Sequence, residues 1–239
     1  MTTDLPTLLP MLSRELGIEL GAYREKHVVE RIRRMLEREK LESGGELVRL
    51  VRVDPEARGR LRRSVAVSFS GLFRDPAQFD LLERELLPPL LASGDRLRVW
   101  SAGCADGSEL YSVALLLERL GALERAFLLG SDLLEENLAA ARRGVYGDVT
   151  VSEHLRARLR WERRDLVRYG PPPGRWDLVL CRNVAIYLGA PAKQKLHELL
   201  VGSLAPGGVL LLGRSERLRD PAKLEVRRIA AHAYRRLGR

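Results

Sequence analysis

Arg182, Asn183 and Tyr187 are three polar side chains that follow a short apolar run, residues 178–180, set behind Asp177. Such a run predicts a strand covered on both faces of a parallel sheet. Groups just past its carboxyl end lie where open α/β sheets hold ligands, and a plain solvated turn is the equal alternative. A second place of this kind follows residues 97–100, where Ser101-Ala102-Gly103-Cys104-Ala105-Asp106-Gly107-Ser108-Glu109 precedes a helix. Its glycines let the backbone approach a ligand closely, and the helix start offers free N–H groups. The turn has neither the Gly-x-Gly-x-x-Gly fingerprint nor the Gly-Lys-Ser/Thr of a phosphate loop, which disfavours a dinucleotide or a nucleoside triphosphate. After residues 126–129 comes Asp132, a carboxylate able to accept two ribose hydroxyls. Capping a helix from Leu133 onward is its other role; beside the glycine turn, the ribose role is favoured.

These residues need elements to position them. Short apolar strands alternate with helices from Arg96 onward: strands at 97–100, 126–129, 178–181 and 209–212, helices at 112–120, 133–143 and 192–204, and one or two closing edge strands around Val226, Ile229, Ala233 and Tyr234. That alternation predicts a parallel sheet with helices on its faces. Residues 5–67 read as helices instead, with Leu8, Leu9, Met11, Leu12 and Leu16, then Val28, Val29, Ile32, Met35 and Leu36, at helical spacing and with breakers at Gly17, Gly21 and Gly44-Gly45. Another helix is predicted over 77–91, with Pro76 at its first turn. The expected domains are 1–67 (helical), 68–92 (linker and connecting helix) and 93–239 (sheet).

A chain of 239 residues can bury a core without disulfides or metals. Cys104 and Cys181 are too few for a disulfide framework, and no signal peptide or apolar span is evident, so a reducing cytoplasm is expected. The net charge of +9 suggests an acidic partner without choosing among nucleic acid, an anionic membrane and an acidic protein. Basic clusters at 58–63, 156–168 and 227–239 form no single stripe, and aromatics at 5% leave few stacking platforms for bases. The helix carrying Arg31, Arg33, Arg34 and Arg38 is either a solvated bundle face or a docking surface for an acidic helix.

Several motifs, in order, make the reading specific: Ser70-Gly71-Leu72-Phe73-Arg74, Val99 to Ser112, Ser131-Asp132, Arg143-Gly144-Val145-Tyr146, Cys181 to Tyr187 and Gly213-Arg214-Ser215-Glu216. Together they resemble the CheR family of S-adenosylmethionine-dependent chemoreceptor glutamate methyltransferases over nearly the whole chain. The resemblance implies a Rossmann-like α/β sheet of the class I methyltransferase type behind an all-helical amino-terminal domain. It also implies S-adenosylmethionine as cofactor, S-adenosylhomocysteine as product and no metal. Carried over residue by residue, Arg74 and Tyr187 are the catalytic candidates. Arg74 also meets the cofactor's carboxylate, Glu109 its ammonium and Asp132 its ribose, while Asp165 and Leu166 stand near the adenine. Ser68, Ser70, Gly103, Arg182 and Asn183 complete the expected cofactor contacts.

The chain departs from the family pattern at Ser68 (an asparagine expected), Ser108 (an acid), Leu110 (a proline) and Leu134 (an acid). Only residues 147–164 separate Tyr146 from Asp165, where family members insert a β subdomain that grips a receptor's carboxyl-terminal peptide. No such tether is therefore expected, and the basic helix 31–38 becomes the candidate contact with receptor signalling helices. A monomer that inserts into no membrane and binds no nucleic acid is the expected form. A cofactor-binding regulatory or scaffold protein without turnover is the alternative function, and RNA methylation a more distant one.

Overall fold

The computed structural model describes residues 5–65, 71–92 and 96–238. The chain divides into two compact units, residues 1–67 with 187–195, and residues 68–186 with 196–239.

The helical unit holds α1 (Leu5–Leu16), α2 (Glu25–Glu39), α3 (Gly44–Val53) and α4 (Pro55–Val65). Apolar residues on one face of each helix are buried: Leu8, Leu12 and Leu16 on α1, Val28, Ile32, Met35 and Leu36 on α2, Leu47, Val48 and Val51 on α3. The Gly44-Gly45 pair starts α3 rather than separating helices. Ser43 caps it by accepting the Glu46 N–H at 3.3 Å, while Glu46 reaches back to the Glu42 N–H at 2.9 Å, a variant of the capping box. The basic side of α2 is internally compensated. Arg33 pairs with Glu30 and Glu37, Arg34 with Glu30, and Arg38 with Glu39.

Residues 187–195 are tied into this helical unit. The Arg24 N–H donates to the Tyr187 carbonyl at 2.9 Å and the Gly189 N–H to the Ala22 carbonyl at 2.8 Å, and Tyr23 bridges Leu188.

In the second unit, residues 76–92 wind as α5 (Pro76–Leu81), a π-wound turn (Leu82–Leu86) and α6 (Leu87–Ala92). There follow β1 (Leu97–Ala102), α7 (Ser108–Arg119), β2 (Ala126–Asp132), α8 (Glu135–Arg143), β3 (Val145–Tyr146), β4 (Val149–Thr150), α9 (Glu153–Arg158), β5 (Leu159–Arg163), α10 (Leu166–Tyr169), β6 (Trp176–Cys181), α11 (Ala190–Ser203, of which residues 190–195 count with the helical unit), β7 (Leu204–Leu212), β8 (Val226–Ala230) and β9 (Ala233–Arg236). The seven-stranded sheet runs β5-β2-β1-β6-β7-β9-β8, parallel from β5 to β7, with β9 antiparallel to both its neighbours. Val99, Leu128, Leu178, Leu180, Val209 and Leu211 belong to the core cluster on this sheet, with Leu110, Val113 and Leu117 of α7.

Strand β5 is absent from the expected list, because Arg160, Glu162 and Arg163 interrupt any apolar run. Residues 147–164, where a β subdomain would have been inserted, supply part of the small hairpin β3–β4, helix α9 and this sheet strand. The chain leaves β1 toward β2 on one side and β6 lies on the other. That arrangement is a topological switch point, and it opens at the carboxyl ends of β1, β2 and β6.

Candidate active site

Polar residues from these strand ends converge on one guanidinium. Arg182, just past β6, has a side chain only 5% exposed. Its Nε donates to Gln78 Oε1 at 2.7 Å, Nη1 to Glu109 Oε2 at 3.2 Å, and Nη2 both to Asp75 Oδ2 at 2.9 Å and to the Arg74 carbonyl at 2.8 Å. The group also lies 5.1 Å from the centre of the Phe79 ring. Arg182 thus spends four of the five N–H groups of an arginine on protein acceptors. Gln78 and Asp75 were not singled out in the sequence, since nothing local marks a helix-start glutamine as a buried partner.

Glu109, on the first turn of α7, receives Arg182 on Oε2 and the Ser101 hydroxyl on Oε1 at 2.7 Å. Each oxygen keeps acceptor capacity toward a cation. The turn before it is tightly sewn. Gly103 and Cys104 donate to the Ser131 carbonyl, and the Tyr146 hydroxyl donates to the Asp106 carbonyl at 2.6 Å. Gly107 has φ +82°, and a Cβ there would fall 2.6 Å from the Trp161 ring and 2.7 Å from the Ala141 methyl, so both conformation and space demand glycine. Trp161 of the unforeseen strand β5 thus forms the floor of the turn. Burial, then the nearby Asp132 and Glu109 charges, push the Cys104 thiol well up, which leaves it a neutral packing group.

Asp132 ends β2 and is 8% exposed. Oδ1 accepts the Leu134 N–H and the Asn137 amide, and Oδ2 accepts the Ala105 N–H, all at 2.9 Å. It therefore joins β2 to the glycine turn. Helix α8 begins at Glu135 with Leu134 at its cap position, so the helix-capping role considered for Asp132 is not the one it plays. Burial pushes its carboxyl up despite these donors. Leu134, at one of the positions where an acid was expected, is 1% exposed and packs inward.

The turn bearing Arg74 is held from two sides. Phe73 and Asp75, its neighbours, both have positive φ (52° and 62°). The Phe73 N–H donates to Ser112 Oγ at 2.8 Å and the Gly71 N–H to Ser108 Oγ at 3.3 Å. Ser108, where an acid was expected, hence serves as a clamp one helical turn before Ser112. Arg74 itself is exposed. Ser68 and Ser70 lie outside the described residues.

Asn183 has φ 61°, and its N–H donates to Glu216 Oε2 at 2.7 Å. Glu216, fully buried, also accepts the Ala185 N–H at 2.8 Å and the Gly213 N–H at 2.9 Å, bracing the loops after β6 and β7. The Gly213-Arg214-Ser215-Glu216 motif stands out in the sequence, whereas the bracing bonds depend on the fold. Asp165 caps α10 by accepting the Val167 and Arg168 N–H groups on Oδ1 at 3.0 and 3.1 Å, and Leu166 is 8% exposed. In the helical unit, the Tyr187 ring lies 5.1 Å from the His27 ring, whose Nε2 is 2.9 Å from the Val65 carbonyl. No helix among the described residues is long and apolar enough to cross a membrane.

Two family models match the chain. One, described as the CheR methyltransferase SAM binding domain, matches residues 68–152 and 147–233; the other, the CheR methyltransferase all-alpha domain, matches residues 3–66. A chemotaxis protein methyltransferase of Listeria innocua is 31% identical over 234 residues, covering 89% of this chain and 89% of its own. Chemotaxis protein methyltransferase 1 of Pseudomonas aeruginosa is 31% identical over 252 residues, covering 91% of each.

Proposed function

The chain belongs to the CheR methyltransferase family and takes S-adenosylmethionine as its cofactor, and on that premise we propose that it esterifies glutamate side chains of chemoreceptor signalling proteins. The observation that carries the reading is the pair of carboxylates, Glu109 and Asp132, fixed beside one glycine turn at the switch point of the sheet. Their chemistry suits a zwitterionic nucleoside: acceptor capacity on Glu109 for an ammonium, and on Asp132 Oδ2 for ribose hydroxyls.

When bound, the cofactor supplies an electrophilic methyl group on a sulfonium. The acceptor glutamate, with a pKa of about 4.3, is ionised at neutral pH and needs no general base. The protein's task is then alignment, which is a proximity and orientation effect. Arg74 is proposed to meet the cofactor's carboxylate, and Tyr187 to offer its hydroxyl to the accepting carboxylate. Gly103, Arg182 and Asn183 are proposed to shape the cofactor cradle, with Asp165 and Leu166 toward the adenine.

Receptor recognition is proposed to proceed without a carboxyl-terminal peptide tether, and so without its effective-concentration advantage. Contact through α2 would require Arg33 and Arg34 to exchange Glu30 and Glu37 for receptor acids, and exposed pairs of this kind, screened by salt, exchange readily.

Incubation with labelled cofactor and a receptor signalling domain from the same cell tests the reading. Base-labile methyl label is expected, lowered about a hundredfold in Arg74→Ala and Tyr187→Phe; absence of label on every receptor of that cell would sink the substrate claim. A second expectation concerns pH. The Asp132 carboxyl is raised above the ordinary 3.8 by burial, so in the window just above that value the native state holds a proton there that the unfolded chain has released. This group's contribution to stability therefore falls as pH rises through that window. Ribose recognition needs the ionised form, so cofactor affinity should fall on acidification at a higher pH than an exposed aspartate would give. Calorimetry from pH 8 to pH 4 showing constant affinity would contradict it.

A further inference from the structure

Gln78, the third residue of α5, is 6% exposed, and both ends of its amide are committed. Nε2 donates to the carbonyl of Leu212, the last residue of β7, at 2.9 Å, and Oε1 accepts from Arg182 Nε at 2.7 Å. A carbonyl can only accept and a guanidinium can only donate, so the two partners dictate which way the amide points. Arg182 is planar. Anchoring its Nε edge to a central strand sets the directions in which Nη1 and Nη2 reach Glu109, Asp75 and the Arg74 carbonyl.

The anchor must also be neutral. Arg182 already faces two carboxylates, Asp75 and Glu109, while Arg214 offsets Asp75 only from 3.7 Å. A third carboxylate in place of the amide would add surplus negative charge and turn an oxygen toward the Leu212 carbonyl.

We propose that Gln78 is a positioning residue for methyl transfer: it docks Arg182 onto β7, and through Arg182 it keeps Glu109 and the Arg74 turn aligned with each other. The proposal rests on the reading of Glu109 and Arg74 as cofactor contacts.

The test compares wild type with Gln78→Leu and Gln78→Glu, and includes Glu109→Gln as a control. Cofactor affinity by calorimetry, kcat at saturating cofactor and thermal unfolding are measured for each. Gln78→Leu should weaken cofactor binding at least tenfold and lower kcat about tenfold while still unfolding cooperatively. Gln78→Glu should match it at pH 8. It should then recover at least fivefold relative to wild type by pH 6, because a protonated carboxyl again offers one donor to Leu212 and one acceptor to Arg182. A role in packing alone would not give this pH-dependent rescue. Affinity and kcat of Gln78→Leu within twofold of wild type would overturn the proposal, as would a Gln78→Glu to wild-type ratio that stays flat with pH. Should Gln78→Leu fail to fold, that ratio decides. If Glu109→Gln leaves cofactor affinity unchanged, the underlying site reading fails instead.

Discussion

Arg182→Ala is expected to abolish measurable cofactor binding and to lower methyl transfer by at least a hundredfold. The truncation removes the common partner of two carboxylates, Glu109 (15% exposed) and Asp75 (21%), and leaves Arg214, 3.7 Å from Asp75, as a weaker offset. It also takes one donor away from the Arg74 carbonyl and from the Gln78 amide oxygen. Breaking a buried ion pair on one side costs about 3–5 kcal/mol. Part of that loss is local, because Phe73 and Asp75 hold positive φ only while the surrounding bonds compel it. Arg182→Lys should rescue little, since one ammonium centre cannot reach four acceptors spread along a planar fork. Calorimetry and single-turnover transfer check this, and an Arg182→Lys variant within threefold of wild type would show that charge alone matters here.

Glu216→Gln is expected to be the most destabilising conservative change in the sheet unit. Its two oxygens accept three backbone N–H groups, from Asn183, Ala185 and Gly213, with no exposure to water. An amide must turn its NH2 toward at least one of those donors, whichever way it is flipped. An orphaned buried donor costs about 1–3 kcal/mol, and the donor-to-donor contact adds to it. Glu216→Ala leaves all three orphaned and should cost about 3 kcal/mol or more, a fall of roughly 10 °C in Tm for a protein of this size. Activity should fall as well, because Asn183 loses the bond that fixes its left-handed backbone. Thermal unfolding is the check: a Glu216→Gln midpoint within 1 °C of wild type would mean that the carboxylate is not a brace.

Strands β1, β2, β6 and β7 were legible because each holds a short, mainly apolar stretch of the kind a doubly covered parallel strand requires. The order of the motifs made the family legible as well. Strand β5 was not, since Arg160, Glu162 and Arg163 give it the composition of a loop. The carboxylates proposed to meet the cofactor, Glu109 and Asp132, could be read from their place after strands. Their supporting bonds could not, because Gln78, Ser112 and Glu216 reach residues far along the chain, Gln78 to Arg182 and Leu212, Ser112 to Phe73, and Glu216 to Asn183 and Ala185. Arg182 shows the difference most clearly: its position past β6 was visible in the sequence, while its role as a shared hub depended on acceptors from α5 and α7.

The two outer strands of the sheet have one more property in common. β5 carries Arg160 and Arg163, β8 carries Arg227 and Arg228, and all four are exposed. These strands fall within two of the three basic clusters that looked scattered along the chain. An outer strand offers unpaired N–H and C=O groups to any second chain, and like charges along it oppose that pairing. Part of the net charge thus has a colloidal explanation: it guards both open borders of the sheet against edge-to-edge aggregation.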